Sequence, residues 1–204
     1  EAARKAEALG AQIVGLGAFT SVVGDAGITV AKGVNIPVTT GNSYTVATAL
    51  EGVEYAARLL GKDLSGARVA VLGASGSIGK ACARIMAKRG FDLTLIARRR
   101  EPLEEVAAII RDESGVESRV ETDIDKGVRD ADVVLAVTSA LETVVDGRSL
   151  KPGAIVCDVA RPRNVARAVA EARDDVFVFE GGVVAPPGDD LEFNFNFGFP
   201  PKTC

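Results

Sequence analysis

The 204-residue sequence contains no histidine. Within these residues, this absence excludes the Ser-His and Cys-His pairs that activate many catalytic nucleophiles, and it removes the commonest metal ligand. The three cysteines, Cys82, Cys157 and Cys204, are too widely scattered to form a metal-binding motif. We therefore expect no metal site.

Basic clusters and long apolar runs are also scarce. The formal net charge is −4 and the longest run of Lys or Arg is the three arginines 98–100, which argues against a nucleic-acid partner. No apolar stretch approaches the roughly 18 residues that a membrane span needs, and no signal-peptide pattern opens the chain. An odd number of dispersed cysteines is typical of a reducing compartment, so we predict a cytoplasmic protein. Because the chain begins at Glu1 without a methionine, we expect it to be part of a longer protein.

Short apolar runs alternate with helical segments through most of the chain. Strands that are buried on both faces appear as continuous apolar runs, and their alternation with helices predicts a parallel sheet with right-handed crossovers. The fold class is therefore α/β, a doubly wound parallel sheet of the Rossmann type. The predicted strands are Val69–Leu72, Leu93–Ile96, Val133–Val137, Ile155–Val156 and Val176–Phe179, and the predicted helices are 77–89, 101–112, 123–130 and 163–173.

The first 62 residues follow a different pattern. A short strand is predicted at Gln12–Leu16, and apolar residues spaced three and four apart predict a helix over Ser43–Leu60. We place the domain boundary between residues 62 and 63. Residues 1–62 are then part of a smaller α/β substrate domain with its connecting helix, and residues 63–204 form an NAD(P)-binding Rossmann domain.

A glycine-rich turn joins the predicted strand 69–72 to the helix that follows it. The glycines have the spacing G-x-x-G-x-x-G, and the strand before and helix after are the context in which such a motif binds a dinucleotide. Gly79 is expected to allow close packing of helix and strand, and the helix N-terminus to hold the pyrophosphate. The alternative is a glycine turn without a ligand. The predicted cofactor-binding residues are Gly73, Ser75, Gly76, Ser77 and Ile78.

Three arginines follow the second strand of this domain. An acidic residue at that point would hold the ribose 2′-hydroxyl of NAD, whereas a guanidinium favours a 2′-phosphate. Arg98 and Arg99 therefore predict NADPH as the cofactor. The alternative is that these arginines only form a solvated entrance to the next helix.

Two further pairs of residues follow later strands of the sheet. Thr138 and Ser139 come after the strand at 133–137, and Gly181 and Gly182 after the strand at 176–179. Since ligands of this fold bind outside the carboxyl ends of the strands, we predict that both pairs border the cofactor. Ordinary turns would account for them equally well.

The cysteines differ in their surroundings. Cys82 shares a helix face with apolar residues and Cys157 lies in an apolar strand, so both are predicted to be core residues. Cys204 follows Lys202 in a turn-forming stretch, where a helix N-terminus and a nearby lysine would lower the thiol pKa. Cys204 is the candidate nucleophile, and an ordinary terminal cysteine is the alternative.

Two other segments have a structural and a functional interpretation. Phe193, Phe195, Phe197 and Phe199 alternate with small or polar residues, so their rings would line one face of a strand as core or as an apolar wall for an acyl chain. Thr40 and Asn42 directly precede the long helix, where they are predicted to cap it or to contact the substrate.

Several segments together resemble a known family. They are Gly15-Leu16-Gly17-Ala18-Phe19-Thr20-Ser21, Thr39-Thr40-Gly41-Asn42 with Ser43-Tyr44-Thr45, the turn Gly73 to Gly79, and Phe179-Glu180-Gly181-Gly182. The family is the aldehyde-forming long-chain fatty acyl-ACP reductases of cyanobacteria and related dehydrogenases. The resemblance implies a two-domain NADPH enzyme in which a cysteine attacks the acyl thioester, hydride reduces the bound acyl group and an aldehyde leaves. The family's nucleophile lies shortly after the region that matches Phe197–Pro201, which makes Cys204 the nearest candidate.

Three functions are compatible with these observations. The first is an NADPH-dependent reductase of an acyl thioester, whose partner is a small-molecule or carrier-bound substrate. The second is an alcohol–ketone oxidoreductase similar to shikimate-type dehydrogenases, which needs a proton donor and no cysteine. The third is a nucleotide-binding module without turnover. The sequence is also compatible with a homo-oligomer.

Overall fold

The computed structural model describes residues 1–17, 20, 25, 27–138, 145–160, 165, 167–186, 188 and 203. Within them the chain forms two compact units, Glu1–Thr45 and Val46–Cys204. The helices are α1 (Ala2–Ala8), α2 (Ile28–Lys32), α3 (Asn42–Leu59), α4 (Ser77–Lys88), α5 (Arg100–Ser114), α6 (Ile124–Val128) and α7 (Arg167–Ala172). The strands are β1 (Val14–Gly15), β2 (Val38–Thr39), β3 (Arg68–Leu72), β4 (Asp92–Ile96), β5 (Arg119–Glu121), β6 (Val133–Ala136), β7 (Ile155–Asp158) and β8 (Phe177–Glu180).

The first unit contains a two-stranded parallel sheet. Val14 of β1 pairs with Val38 of β2. Helix α1 is tied to the segment after α2 by a hydrogen bond from Arg4 Nε to the carbonyl of Gly33 at 3.0 Å. This unit is therefore a small α/β element in its own right.

The second unit contains a six-stranded sheet in the order β5-β4-β3-β6-β7-β8. All its neighbouring strands are parallel. The chain starts in the middle of the sheet at β3, adds strands outward to β5, then returns to the other side of β3 with β6. This is the strand order of a dinucleotide-binding Rossmann domain, so the predicted fold class is confirmed.

The core lies on both faces of the six-stranded sheet. Val69 and Val71 of β3 face one apolar cluster, while Ala70 and Leu72 face the other. Successive side chains of a strand point to opposite faces, so a strand covered on both sides must be apolar throughout. This is why the strands were visible in the sequence as continuous apolar runs.

Helix α3 packs with the second unit. Its buried residues Val46, Ala49, Leu50 and Val53 join the cluster that also contains residues of β3. The helix ends just before Gly61, whose φ of +63° is the left-handed conformation that suits a residue after a helix C-terminus.

The two compact units divide between Thr45 and Val46, because most of the connecting helix contributes its apolar face to the core of the second unit. The domain boundary between residues 62 and 63 stays a prediction. The substrate-domain role of residues 1–62 stays a prediction.

Two strands were not predicted. Strand β5 lies at the edge of the sheet, and two of its three residues are Arg119 and Glu121. An edge strand has one neighbour and less burial, so charged residues are tolerated there and no apolar run marks it. Strand β2, Val38–Thr39, is too short to show any periodicity. Among the described residues, no helix has both the length and the apolar character needed to cross a membrane.

Candidate functional site

The glycine turn leaves the sheet at the end of β3. Gly73 has a φ of +89°, and the N–H groups of Gly73 and Ala74 both donate to the carbonyl of Ile96 at the end of β4, at 2.8 and 3.2 Å. Gly76 N–H then donates to the carbonyl of Gly73 at 2.9 Å. The turn is thus held by backbone hydrogen bonds against the neighbouring strand.

Gly79 brings helix α4 very close to this turn. A Cβ atom at position 79 would lie 2.3 Å from the carbonyl oxygen of Gly73 and 2.9 Å from Cα of Ala74. These are backbone atoms that cannot move aside without opening the turn. The geometry agrees with the packing role predicted for Gly79.

The first turn of α4 faces outward at the same place. Ser75, Gly76 and Ser77 are exposed, while Ile78 is half-buried and packs against the core. Gly76 precedes the helix with extended backbone, φ −76° and ψ 166°. N–H groups in the first turn of a helix lack intrahelical acceptors, and together with the helix dipole they bind phosphate. The turn therefore fits the pyrophosphate of a dinucleotide.

The arginines lie beside this turn, after the neighbouring strand. Arg98 and Arg99 are exposed and make no ion pair within the part of the chain that the structure describes. Arg100, by contrast, is 4.0 Å from Glu104, one helical turn away. Arg99 precedes the first residue of α5, a helix end that disfavours cations because of the helix dipole. An anionic ligand at this position would offset that cost.

Thr138 meets the glycine turn from the other half of the sheet. A Cβ atom on Gly73 would lie 3.0 Å from both Cα and the backbone nitrogen of Thr138. Because β3 and β6 are neighbours and the strand order reverses between them, this is the crevice in which a Rossmann domain binds its ligand. Ser139, which we predicted beside it, lies outside the described residues.

Gly181 and Gly182 are closely packed against the end of β7. A Cβ atom on Gly181 would lie 2.3 Å from the sulfur of Cys157, and one on Gly182 would lie 2.8 Å from the carbonyl oxygen of Val159. Packing thus requires both glycines. Their contact with a cofactor stays a prediction.

The two described cysteines are core residues, as predicted. Cys82 and Cys157 are fully buried. Burial raises the pKa of the Cys82 thiol to about 12, and burial also raises the pKa of the Cys157 thiol. Both are therefore neutral thiols at physiological pH and poor nucleophiles. Cys204 and the phenylalanines of 193–199 lie outside the described residues.

Thr40 and Asn42 belong to the first unit. The hydroxyl of Thr40 accepts a hydrogen bond from Asn42 N–H at 3.4 Å, and Gly41 between them has a φ of +76°. Because α3 begins at Asn42, Gly41 occupies the cap position, and neither Thr40 nor Asn42 is the cap residue that we predicted. Substrate contact by either residue stays a prediction.

A cavity of about 280 Å³ lies away from these residues. It is lined by residues of β3, β4, β5 and α6, among them Arg68 and Arg119, and so lies along one face of the sheet rather than at the glycine turn. Arg68 lies 3.8 Å from Asp130 and Arg119 lies 2.8 Å from Asp92, so acidic neighbours already balance both cations. Since Rossmann ligands bind at the carboxyl ends, this cavity is not the candidate site.

Asp158, the last residue of β7, was not among the predicted site residues. Its carboxylate is buried and accepts hydrogen bonds from the N–H groups of Ala160 and Val165. A charged residue directly after a buried apolar run, at the ligand-binding end of a strand, was the available signal.

The chain matches known proteins over most of its length. The model of the shikimate / quinate 5-dehydrogenase family matches residues 54–180. The chain is 32% identical over 185 residues to a long-chain acyl-[acyl-carrier-protein] reductase of Synechococcus elongatus, covering 86% of this chain and 52% of that protein. It is also 32% identical over 176 residues to the aminotransferase PigE of a Serratia species, covering 86% of this chain and 20% of that protein. The chain thus spans about half of one relative and a fifth of the other.

Solved structures show the same fold at lower identity. Shikimate 5-dehydrogenase from Listeria monocytogenes, solved with shikimate and NAD, has a TM-score of 0.50 and 19% identity, over 66% of this chain and 52% of that one. A Δ1-pyrroline-2-carboxylate reductase from Thermococcus litoralis, solved with NADH and L-proline, has a TM-score of 0.50 and 15% identity, over 61% and 39% of the two chains. Together with the family match, these findings identify an NAD(P)-binding Rossmann domain of the oxidoreductase type, and the resemblance to acyl-ACP reductases is confirmed.

Proposed function

The chain belongs to the shikimate / quinate 5-dehydrogenase family, and we propose that it is an NADPH-dependent oxidoreductase that reduces an acyl thioester to an aldehyde. The observation that carries the cofactor preference is the pair Arg98 and Arg99, two exposed cations without acidic partners in the described structure, next to the glycine turn. A 2′-phosphate supplies the charge that this pair lacks.

In the proposed reduction, separate groups bind the phosphates of the cofactor, supply the hydride and attack the substrate. The turn Gly73–Gly79 and the N-terminus of α4 would hold the pyrophosphate, and Arg98 and Arg99 the 2′-phosphate. The bound cofactor supplies the hydride. Cys204 is the proposed nucleophile: its thiolate would attack the thioester carbonyl, release the carrier thiol, and be regenerated when the aldehyde leaves.

The substrate class is supported by the relative of known reaction. The Synechococcus reductase that is 32% identical to this chain acts, by its name, on a long-chain acyl group carried by acyl carrier protein. We propose a carrier-bound or small-molecule acyl thioester as the substrate, used in the cytoplasm. A second candidate, a shikimate-type alcohol–ketone dehydrogenase, is favoured by the family match over residues 54–180.

The cofactor preference is tested by titrating the full chain with NADPH and NADH, following nucleotide fluorescence. The double variant Arg98→Ala/Arg99→Ala should lose about 1.5–3 kcal/mol of NADPH binding energy, the usual strength of a charge-assisted hydrogen bond, or about 10- to 100-fold in affinity. NADH binding should not change. Arg100→Ala is the matched control, since Arg100 already has Glu104 as a neighbour, and its affinity for NADPH should stay close to that of the wild type. Equal affinity of the wild type for the two nucleotides would refute the role of the arginines.

The reaction is tested by comparing acyl-ACP, acyl-CoA and shikimate-type hydroxy acids as substrates of the wild type and Cys204→Ala. Aldehyde formation that Cys204→Ala abolishes supports the thioester mechanism. Oxidation of a hydroxy acid that Cys204→Ala leaves unchanged favours the dehydrogenase. Tight NADPH binding without turnover of any of these substrates would identify a binding module and contradict both.

A further inference from the structure

Asp158 is a buried carboxylate at the ligand-binding end of the sheet. It is the last residue of β7 and its exposed fraction is 2%. Among the residues that the structure describes, it is the one charged side chain in the buried set. Burying a carboxylate is costly unless hydrogen bonds replace its lost hydration. The groups that donate hydrogen bonds to Asp158 therefore indicate its structural role.

Two backbone N–H groups donate to the two oxygens of this carboxylate. Ala160 N–H donates to Oδ1 at 3.1 Å, and Val165 N–H donates to Oδ2 at 2.8 Å. Val165 is itself buried and pairs with Val145 in an isolated parallel bridge. One side chain therefore holds Ala160 and Val165 at the end of β7.

The backbone of Asp158 connects to the neighbouring strands as well. It is in register with Ala136 of β6 on one side and with Glu180 of β8 on the other. Its carbonyl accepts a hydrogen bond from Gly181 N–H at 2.9 Å. The ends of β6, β7 and β8 therefore meet at this residue.

These three strands form the second half of the Rossmann sheet. Each half binds one mononucleotide, and the adenosine ribose is held at the second strand of the first half, which here is β4. The nicotinamide mononucleotide of a bound cofactor would consequently lie over the ends of β6, β7 and β8. A carboxylate that organises these ends would shape the surface that receives the nicotinamide.

We propose that Asp158 is a positioning residue for the nicotinamide half of the cofactor. It acts through the backbone N–H groups of Ala160 and Val165 and leaves the adenosine half unaffected. The inference rests on the proposed NADPH binding. An asparagine has the same shape but offers one oxygen acceptor and an NH₂ donor. Asp158→Asn therefore cannot accept from both Ala160 and Val165.

The test compares two ligands in the full chain by calorimetric titration. NADPH would occupy both halves of the site, whereas adenosine 2′,5′-bisphosphate carries only the adenosine with its 2′-phosphate and one 5′-phosphate. Asp158→Asn should bind NADPH at least about tenfold more weakly, the effect of losing one hydrogen bond to a charged group, and should bind the bisphosphate with unchanged affinity. The control is Asp146→Asn, which alters a carboxylate that accepts from Arg148 N–H at 2.9 Å and should affect neither ligand.

A measurement on the wild type covers the case in which Asp158→Asn does not fold. Hydrogen exchange at the amides of Ala160 and Val165, followed by NMR, should slow on addition of NADPH and stay unchanged on addition of the bisphosphate.

Three outcomes would overturn the inference. Unchanged NADPH affinity in Asp158→Asn, or an equal loss for both ligands, contradicts a selective positioning role. Exchange that NADPH binding leaves unchanged contradicts it as well. Failure of the wild type to bind NADPH refutes the proposed function itself, and with it this inference, so the two failures are distinguishable.

Discussion

The two halves of the six-stranded sheet end in different kinds of surface. At the ends of β3 and β4 the chain presents an exposed turn and exposed cations: Ser75, Gly76 and Ser77 face outward, and so do Arg98 and Arg99. At the ends of β7 and β8 the chain is closely packed, with Asp158 buried and Gly181 in contact with Cys157.

This difference has a chemical meaning in the proposed function. Phosphates are strongly hydrated anions that bind to backbone N–H groups and guanidinium groups accessible from solvent. A hydride-transferring ring instead needs a rigid surface that fixes its orientation. The comparison therefore predicts that changes in the glycine turn of the first half alter affinity for every adenine nucleotide, whereas changes in the second half spare ligands that lack nicotinamide.

The largest effect is expected from Gly79→Ala in the first half. The added Cβ would lie 2.3 Å from the carbonyl oxygen of Gly73, so the helix must move away from the turn. We expect a loss of about 3 kcal/mol in the free energy of unfolding, the upper part of the usual range for overpacking, and loss of measurable binding of NADPH and adenosine 2′,5′-bisphosphate alike. Urea denaturation and calorimetric titration measure the two effects.

The neighbouring residue provides the control for Gly79→Ala. Lys80→Ala lies in the same turn of α4, and we expect the free energy of unfolding to change by less than about 0.5 kcal/mol. If Gly79→Ala binds both ligands as tightly as the wild type, the glycine turn is not what holds the cofactor.

An intermediate effect is expected from Gly181→Ala in the second half. Its Cβ would lie 2.3 Å from the sulfur of Cys157, and we expect a cost of about 2 kcal/mol in the free energy of unfolding. Cys157→Ala removes that sulfur, so the double variant should recover about 1 kcal/mol relative to the sum of the single changes, within the usual range for residues in contact. Binding of adenosine 2′,5′-bisphosphate should be unchanged.

A second buried cysteine supplies the control for this double-mutant cycle. Cys82 is also fully buried but is not among the atoms nearest to the added Cβ. Gly181→Ala combined with Cys82→Ala should therefore be additive. If the effects of Gly181→Ala and Cys157→Ala on the free energy of unfolding are additive, the backbone after β8 must shift to avoid the sulfur.

The smallest effect is expected from a change of Asp132, which lies at the amino ends of the strands, opposite the candidate site. Asp132 accepts a hydrogen bond from Arg68 N–H at 2.9 Å and forms an ion pair with Lys151. Burial acts to raise the pKa of this carboxyl, but the hydrogen bond from Lys151 and that from Arg68 outweigh it, so the pKa lies below its ordinary value of 3.8. A lowered pKa stabilises the fold above pH 3.8, and this contribution is lost as the pH falls through the lowered value.

Asp132→Asn should accordingly reduce the free energy of unfolding by at most about 1 kcal/mol at pH 7, because the pair is partly exposed. The difference from the wild type should shrink as urea denaturation is repeated towards pH 3. Asp130→Asn, at a carboxylate that is 72% exposed, is the control and should show little difference at any pH. If Asp132→Asn changes the affinity for NADPH or for adenosine 2′,5′-bisphosphate, the amino ends of the strands also influence ligand binding. That result would contradict the placement of the site at the carboxyl ends.

The first half of the candidate site could be proposed from the sequence because its residues are contiguous. Gly73 to Gly79 form one turn, and Arg98 and Arg99 directly follow a strand, so spacing along the chain alone indicates their roles. The second half was less accessible, since Gly181 meets Cys157, and Asp158 meets Val165, only after the strands have paired. Glycines that we interpreted as cofactor contacts have a packing reason that no local pattern shows.

By itself, the sequence determined the class of fold and the type of ligand, because apolar runs of strand length can be buried only inside a doubly covered sheet, and a glycine turn before a helix exposes N–H groups to phosphate. Tertiary structure alone decided where the chain divides, since packing of α3 on the sheet places Val46 in the second unit. Tertiary structure also decided which buried groups organise the second half of the site. Strand order and register bring Asp158 and Gly181 to their partners, and both depend on contacts across the whole sheet.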